Sequence, residues 1–303
     1  MCENAVNARV PVAVPGARGS SPLLKKVAGA VAATAALGAA TAAYGHFIEL
    51  NNFQLRTESL PVLPAGSPDF RILHISDMHM IPGQQKKIDF MHSLAALEPD
   101  LVMNTGDNLS HVDGMGPLLE ALDPLMDFPG VFVPGSNCYF APVFKNPARY
   151  LWQPRTPQMI EEGSRVALPI ERMHDAFESR GWTGLINRYD TLNLKGLRLE
   201  FSGVDDPHLR YDEHPGFAPG AFDEGQEPSV RIGVAHAPYM RTLHRFVQDG
   251  AQAIFAGHTH GGQVCLPGGH ALVSNCDLPP SRAKGVSEQS GIPVQVSAGL
   301  GTS

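Results

Sequence analysis

The chain has 303 residues, a length that fits one large domain or two small ones. Its formal net charge of -7 argues against the basic surface that binds a nucleic-acid backbone, so no nucleic-acid partner is expected. Four cysteines, none of them in a Cys-x-x-Cys pair, argue against both a disulfide framework and a structural zinc site. Because the chain is acidic overall, an anionic substrate would have to be bound locally, by metal ions.

An uncharged, alanine-rich segment occupies residues 27–44. As a helix it would span roughly 27 Å, close to the hydrocarbon thickness of a bilayer. Basic residues precede it and acidic residues follow it, which predicts a membrane anchor with a cytoplasmic N-terminus and the remainder outside. A cleaved signal peptide followed by export, and an alanine-rich helix that does not enter a membrane, are the alternatives.

The chain is expected to have four regions. Three prolines around Gly66 predict an extended tether between the hydrophobic segment and a folded domain. The expected regions are a cytoplasmic tail over 1–26, a transmembrane or signal-anchor segment over 27–48, a linker over 49–68 and a catalytic domain over 69–303.

Strand and helix patterns alternate in the first half of the expected domain. Such alternation predicts a mainly parallel sheet with right-handed crossovers, whose ligands bind at the carboxyl ends of the strands. Apolar, β-branched runs predict strands, and apolar residues at helical spacing predict helices. The expected strands are 70–75, 101–103 and 131–133, with helices at 85–97 and 117–126.

The second half contains another set of strands after a helix at 170–180. Two irregular segments are also expected: residues 140–168, before this helix, predict a rim or lid loop, and residues 207–228, among the later strands, predict a surface insertion. Substrate specificity is expected to reside in these two segments. The expected strands are 191–194, 197–201, 231–235, 253–256 and 271–273.

Polar motifs stand where five of these strands end. In an Asp-x-His or His-x-His pair that leaves a strand, side chains i and i+2 point the same way and can bind one metal or two adjacent metals. Mixed oxygen and nitrogen ligands suit manganese, iron or zinc better than calcium or magnesium. The motifs are Asp77-Met78-His79, Gly106-Asp107-Asn108, Gly135-Ser136-Asn137, Ala235-His236 and Gly257-His258-Thr259-His260.

This ordered set of motifs resembles that of the calcineurin-like metallophosphoesterases, over residues 69–303. Gly261-Gly262-Gln263, the segment 203–207 and the N-terminal hydrophobic run resemble the bacterial membrane-associated or exported branch. The resemblance implies an α/β fold, a four-layer α/β/β/α sandwich preceded by one transmembrane or signal helix. It also implies two transition-metal ions, Mn, Fe or Zn, as cofactors.

The resemblance further implies which residue binds which metal. Asp107 would bridge the two ions and, with Asn137, serve catalysis. A bridging hydroxide would then attack phosphomonoesters or phosphodiesters in line, at or outside the membrane, on a substrate that is lipid-linked or derived from the envelope. The implied ligands are Asp77, His79 and His260 on one ion, and Asn137, His236 and His258 on the other, with Asp107 shared.

The third motif departs from the family pattern, which reads Gly-Asn-His followed by Asp or Glu. Here Ser136-Asn137 provides a ligand without the histidine that would protonate the leaving group. Asn137 is the favoured ligand and Ser136 the alternative. Cys138 stands where a carboxylate is expected, either as a tolerated buried thiol or as a soft, oxidation-sensitive ligand.

Further residues are candidates for contacts with the ligands or the substrate. Asp205-Asp206-Pro207 is also typical of a turn, and His208 belongs to the same cluster. The chain ends earlier than the family pattern implies, so a domain that lacks a final strand is expected. A catalytically weak or inactive metal-binding module tethered to a membrane is the alternative function. The candidates are Asn108, Ser136, Cys138, Asp205 and Asp206.

Overall fold

A computed structural model of the chain describes residues 22–47, 49–142, 165–219, 229–262, 264–266 and 270–301. The chain divides into two units, Met1–Asn52 and Phe53–Ser303. Each unit is described by itself. The metal-site motifs all lie in the second unit.

The first unit contains helix α1, Pro22–Phe47. Proline fits the first turn of a helix, and alanine has the highest helix propensity, which explains why this segment is helical. Among the described residues, however, none of the helices combines the length and the apolar character that a membrane crossing requires. The predicted transmembrane segment at 27–48 is therefore not supported, because a helix built mainly from alanine presents little apolar surface per residue.

The second unit begins with a four-stranded parallel sheet in the order β1-β2-β3-β4. Helices connect the strands, as alternating strand and helix patterns require. The strands are β1 Ile72–Ile75, β2 Leu101–Asn104, β3 Gly130–Phe132 and β4 Thr183–Gly184. The helices are α2 Gln85–Ser93, α3 Met115–Leu122, α4 Ser136–Tyr139 and α5 Ile170–Ser179.

A six-stranded mixed sheet follows, in the order β11-β12-β8-β7-β6-β5. Its four inner strands are parallel, and the two edge strands pair antiparallel. Its strands are β5 Arg188–Leu194, β6 Leu197–Gly203, β7 Ser229–Val234, β8 Ala253–Ala256, β11 Gly285–Gln289 and β12 Ile292–Val296. Helix α6, Met240–Gln248, connects β7 to β8, and the antiparallel pair of β9, Val264–Leu266, and β10, His270–Val273, follows β8.

Apolar residues on alternate faces of the strands explain how the layers stack. On β2, Val102 packs with the helices of the first sheet, whereas Leu101 and Met103 pack in a cluster with residues of the second sheet. A third cluster joins Leu243 and Phe246 of α6 to the outer face of the second sheet. Central strands buried on both faces are typical of parallel sheets. The predicted mixed α/β fold with a parallel sheet is confirmed.

Two irregular segments differ in how far the structure describes them. Of the predicted rim loop, residues 143–164 lie outside the described residues, and its ends pair through the Phe140–Ala167 bridge. In the described part of the predicted surface insertion at 207–228, the ring of His208 packs beside that of His258, 4.7 Å between centroids. Residues 220–228 lie outside the described residues.

His174 on α5 should make folding sensitive to acid. Burial lowers its pKa from 6.5 to about 4, against the opposing charge of Asp175. As the pH falls below 6.5, the unfolded chain takes up a proton that the folded chain rejects, so stability should be lost between pH 6.5 and pH 4. Replacing His174 with Gln should make this loss smaller by roughly 1–2 kcal/mol, after allowance for the partly exposed ring.

Urea unfolding of the metal-free chain at about pH 7 and about pH 5 measures the difference. His244→Gln, at an exposed histidine on α6, is the control. If His174→Gln lost as much stability as the parent between these two pH values, the loss could not be attributed to His174.

Candidate metal centre

The first cluster, called centre A, consists of Asp77, His79 and His260, whose ligand atoms lie within 4.8 Å of one another. The Nε2 atoms of His79 and His260 are 3.3 Å apart, and Asp77 Oδ1 lies 3.5 Å from His260 Nε2. Asp77 and His79 follow β1, whereas His260 follows β8 of the other sheet. The two sheets therefore each contribute ligands to centre A.

The second cluster, called centre B, consists of Asp107, His236 and His258. His236 Nε2 lies 3.3 Å from Asp107 Oδ2 and 3.3 Å from His258 Nδ1. Asp107 follows β2, His236 follows β7 and His258 follows β8. All three residues are buried.

One carboxylate oxygen links the two centres. Asp107 Oδ2, which contacts His236 of centre B, also lies 3.7 Å from Nε2 of His79 in centre A. A carboxylate in this position can bind two neighbouring metal ions at once. The geometry therefore fits one dinuclear site better than two separate ones.

Each imidazole is oriented by a contact of its other nitrogen. Nδ1 of His236 donates to the Thr105 carbonyl (2.7 Å), and Nδ1 of His260 donates to the Gly301 carbonyl (2.8 Å). His258 uses Nε2 toward the Asn275 carbonyl (3.3 Å), and His79 pairs through Nδ1 with the Ser110 hydroxyl (2.9 Å). Such partners are typical of metal-binding histidines, because in a neutral ring they leave the inward nitrogen available to a metal ion. They are Thr105, Gly301, Asn275 and Ser110.

The inward nitrogens are spaced as metal ligands. Two Zn–N bonds of about 2.0–2.1 Å at a tetrahedral angle place their nitrogens roughly 3.4 Å apart. The observed spacings are 3.3 Å between His79 and His260, and 3.3 Å between His236 and His258. Together with the two carboxylates, this donor set fits a pair of transition-metal ions.

The electrostatics of centre B depend on one proton. Burial opposes protonation of His236, but the adjacent Asp107 carboxylate raises the pKa of His236 to about 10. Although burial also opposes its charge, Asp107 keeps a pKa well below its usual range because His236 faces it. A proton on His236 Nε2 thus occupies the position that a metal ion would take. Burial lowers the pKa of His258 well below 6.5, so this ring is neutral.

Five ligands have a left-handed backbone, which is unfavourable for residues other than glycine. Such conformations cost roughly 1–3 kcal/mol each and concentrate at functional sites. The turns that follow β1, β2 and β8 impose them, and these turns aim the side chains at the centres. The φ angles are 52° for Asp77, 45° for His79, 52° for Asp107, 70° for His258 and 52° for His260.

Two glycines allow the loops to approach the ligands. A Cβ at Gly257 would lie 1.9 Å from the Ser76 hydroxyl and 2.5 Å from Asp77 Oδ2. A Cβ at Gly135 would lie 2.4 Å from Asp107 Oδ1. Both positions therefore require glycine for steric reasons.

The third motif contacts centre B through its backbone. The amide of Asn137 donates to Asp107 Oδ1 (2.7 Å), and its side-chain oxygen accepts a hydrogen bond from the Ser136 hydroxyl (3.3 Å). The structure thus brings Asn137 and Ser136 to the centre. Whether either side chain binds metal stays a prediction.

Cys138 is a buried thiol behind the centre. Burial, reinforced by the charge of Asp107, raises its pKa to about 12, so the group stays protonated. The Asn108 amide faces two sulfur atoms, at 3.7 Å from Cys138 and 3.7 Å from Met173. A protonated, buried thiol is a poor metal ligand and reacts slowly with oxidants, which favours the tolerated-thiol interpretation.

Asp205 and Asp206 lie beside the centre rather than in either cluster. Both oxygens of Asp205 lie 2.7 Å from the Tyr139 hydroxyl, which donates to them. Asp206 accepts hydrogen bonds from the backbone amides of His208 and Leu209, as in the turn that its sequence predicts. Burial raises the pKa of Asp206 to about 7.

Several residues at the site carried no clear signal in the sequence. Thr105, Asn275 and Gly301 act through backbone carbonyls, which any residue type provides. The Tyr139 hydroxyl donates to Asp205, and the Tyr239 hydroxyl forms a hydrogen bond with His208. The position of Tyr139, two residues after Asn137, was the one signal in the sequence that pointed to it. Lys87 is a buried lysine whose ammonium contacts the loop that carries Asp77 and His79.

Comparison with protein families gives one match that covers most of the second unit. The family model described as calcineurin-like phosphoesterase matches residues 70–262. A Bacillus subtilis (strain 168) protein named "Uncharacterized protein YpbG" is 27% identical over 215 residues, which is 69% of this chain and 69% of that protein.

Solved structures show weaker similarity. TT1561 of Thermus thermophilus is 12% identical with a TM-score of 0.41, covering 77% of this chain and 91% of its own. Phosphopantetheinyl hydrolase (PptH) from Mycobacterium tuberculosis is 13% identical with a TM-score of 0.42, covering 76% and 89%. Identities and TM-scores this low do not indicate function.

Replacing Gly257 with Ala should damage centre A. The new methyl group would push Ser76 and Asp77 away from their positions, so affinity for the metal ion at this centre should fall roughly tenfold or more. Titration calorimetry with Mn²⁺ on the metal-free chain measures the loss. Gly116→Ala, on α3 with open space around it, is the control and should bind as the parent does. Unchanged affinity in Gly257→Ala would contradict the proposed ligand positions.

Proposed function

Because the chain belongs to the calcineurin-like phosphoesterases, we propose that it hydrolyses phosphomonoesters or phosphodiesters with a dinuclear metal centre. One observation carries the proposal: a single oxygen of Asp107 lies within 3.7 Å of a nitrogen in each of the two ligand clusters. A shared carboxylate is what a two-metal hydrolase needs to keep its ions adjacent.

We assign each ligand to one of the two ions. Asp77, His79 and His260 would hold one ion; Asp107, His236 and His258, with Asn137 as a further ligand, would hold the other. Two such ions lower the pKa of a bound water and neutralise the phosphate charge. Manganese, iron and zinc are the metals that this mixture of imidazole and carboxylate suits.

The residues around the ligands should position the phosphoester. His208 lies against His258, and its Nδ1 forms a hydrogen bond with the Tyr239 hydroxyl (3.0 Å). This places an imidazole at centre B that belongs to neither cluster. The histidine that the third motif lacks would have assisted the leaving group, so esters with a good leaving group should be hydrolysed faster than alkyl esters.

Asp107→Asn should abolish turnover. The amide loses the charge that holds two cations, so one ion should be lost and the rate should fall by roughly 10³-fold or more. The test loads the purified chain with Mn²⁺ or Zn²⁺, counts metal by elemental analysis and follows bis-p-nitrophenyl phosphate. Asp113→Asn, at an exposed carboxylate, is the control. Turnover that does not depend on metal or on Asp107 would refute the proposal.

A substrate panel should separate hydrolysis from the alternative, a metal-binding module without catalysis. The missing histidine of the third motif motivates this alternative. We also propose that the substrate is lipid-linked or derived from the envelope, so the panel should include a lipid-linked phosphoester beside water-soluble ones. Two bound ions without turnover of any ester would favour the binding module.

Cys138→Asp should keep or raise phosphodiesterase activity. A carboxylate at this position would accept a hydrogen bond from the Asn108 amide, which now faces sulfur, and would add negative charge behind centre B. The expected change in kcat/KM lies between none and roughly tenfold upward, measured on bis-p-nitrophenyl phosphate. Cys265→Asp, at an exposed cysteine, is the control. Complete loss of activity in folded Cys138→Asp would show that the thiol itself is required.

A further inference from the structure

Lys87 is a buried cation for which the proposed chemistry has no use. Its side chain lies on α2 and is 4% exposed, whereas lysine is almost never buried without a partner. Its ammonium donates to the backbone carbonyl of Met78 at 2.5 Å. Met78 separates Asp77 from His79, so the contact falls between two ligands of centre A.

The backbone that Lys87 contacts is strained on both sides. Asp77 and His79 have φ angles of 52° and 45°, and Met78 between them is fully buried. A left-handed backbone at ordinary residues persists only where neighbouring contacts fix it. The contacts of this loop therefore decide where the two ligands point.

The carbonyls of the loop have different kinds of donor. The Leu300 amide donates to the carbonyls of Ser76 (3.1 Å) and Asp77 (3.3 Å), and the Ser110 amide donates to that of Met80 (3.1 Å). The Met78 carbonyl instead receives the ammonium of a side chain. A single substitution at Lys87 would thus leave a buried carbonyl without its donor, which costs stability unless the loop moves.

The Met78 carbonyl is also confined on another side. A Cβ at residue 301 would lie 2.7 Å from this oxygen, so the chain passes close to it at Gly301. Gly301 in turn accepts the hydrogen bond that orients His260. The Met78 carbonyl therefore lies between the group that orients one ligand of centre A and the lysine on α2.

We propose that Lys87 is a positioning residue for centre A: by fixing the Met78 carbonyl, it aims Asp77 and His79 at one metal ion. The inference rests on the proposed dinuclear centre. It concerns metal affinity rather than the chemical step. The hydrogen bond of Lys87 goes to the loop between Asp77 and His79, so its effect should fall on the ion at centre A.

The test replaces Lys87 with Met, which keeps the length of the side chain and removes the donor. Titration calorimetry with Mn²⁺ on the full chain should show one of the two sites weakened roughly 10- to 100-fold, with the other within about twofold of the parent. Lys86→Met, at the exposed neighbouring lysine, should leave both affinities unchanged. Equal affinities in Lys87→Met and the parent would overturn the proposal.

Further variants separate positioning from general destabilisation. Ile88→Ala removes apolar packing from the same helix and should lower thermal stability without changing either affinity. Lys87→Gln keeps a side-chain N–H donor for the Met78 carbonyl but buries no charge. Its centre A should therefore bind Mn²⁺ more tightly than that of Lys87→Met. Equal weakening of both sites in Lys87→Met, or the same weakening in Ile88→Ala, would overturn the proposal.

Metal titration and ester turnover can fail separately in the parent chain. If the parent binds two ions but turns over no ester, hydrolysis fails while the effect of Lys87 on affinity is still read directly. If the parent binds no metal, both fail.

Discussion

The site depends on the position of one buried carboxylate, that of Asp107. One of its oxygens faces His79 and His236, which belong to different clusters, and the other accepts the backbone amide of Asn137. The strands that deliver these groups come from two separate sheets, so the packing between the sheets sets the distance between the centres. A shift of about 1 Å between the sheets would move the ligands out of a productive arrangement.

The centre is unfavourable for the fold until cations bind. Buried carboxylates and imidazoles must be desolvated, and five ligands also have a left-handed backbone. In the metal-free chain the proton on His236, which faces the ionised Asp107, compensates part of this charge. Metal binding at centre B must displace that proton, so affinity there depends on pH and metal stabilises the folded chain by mass action.

The sequence predicts the parts of this arrangement that repeat with a fixed period. The i, i+2 spacing of Asp77 with His79 places both ligands at one strand end, and the helical spacing of Ile88 and Met91 locates α2. The edge strand β11 has four of its five residues at least partly exposed, so it lacks a clear apolar pattern. The predicted membrane helix is not supported. The length of the uncharged segment suggested a membrane crossing, but alanine side chains provide too little apolar surface for one. Lys87, next to Lys86, is indistinguishable in sequence from a solvent-exposed lysine.

Because the Gly301 carbonyl orients His260, centre A depends on residues that are synthesised late. Centre A begins with Asp77, near the start of the domain, but the carbonyl that orients His260 and the Leu300 amide that holds the Asp77 loop come from residues beyond β12. A nascent chain that has not released these residues lacks both contacts. Centre A can therefore take its final geometry only after Leu300 and Gly301 have left the ribosome, long after Asp77 has emerged.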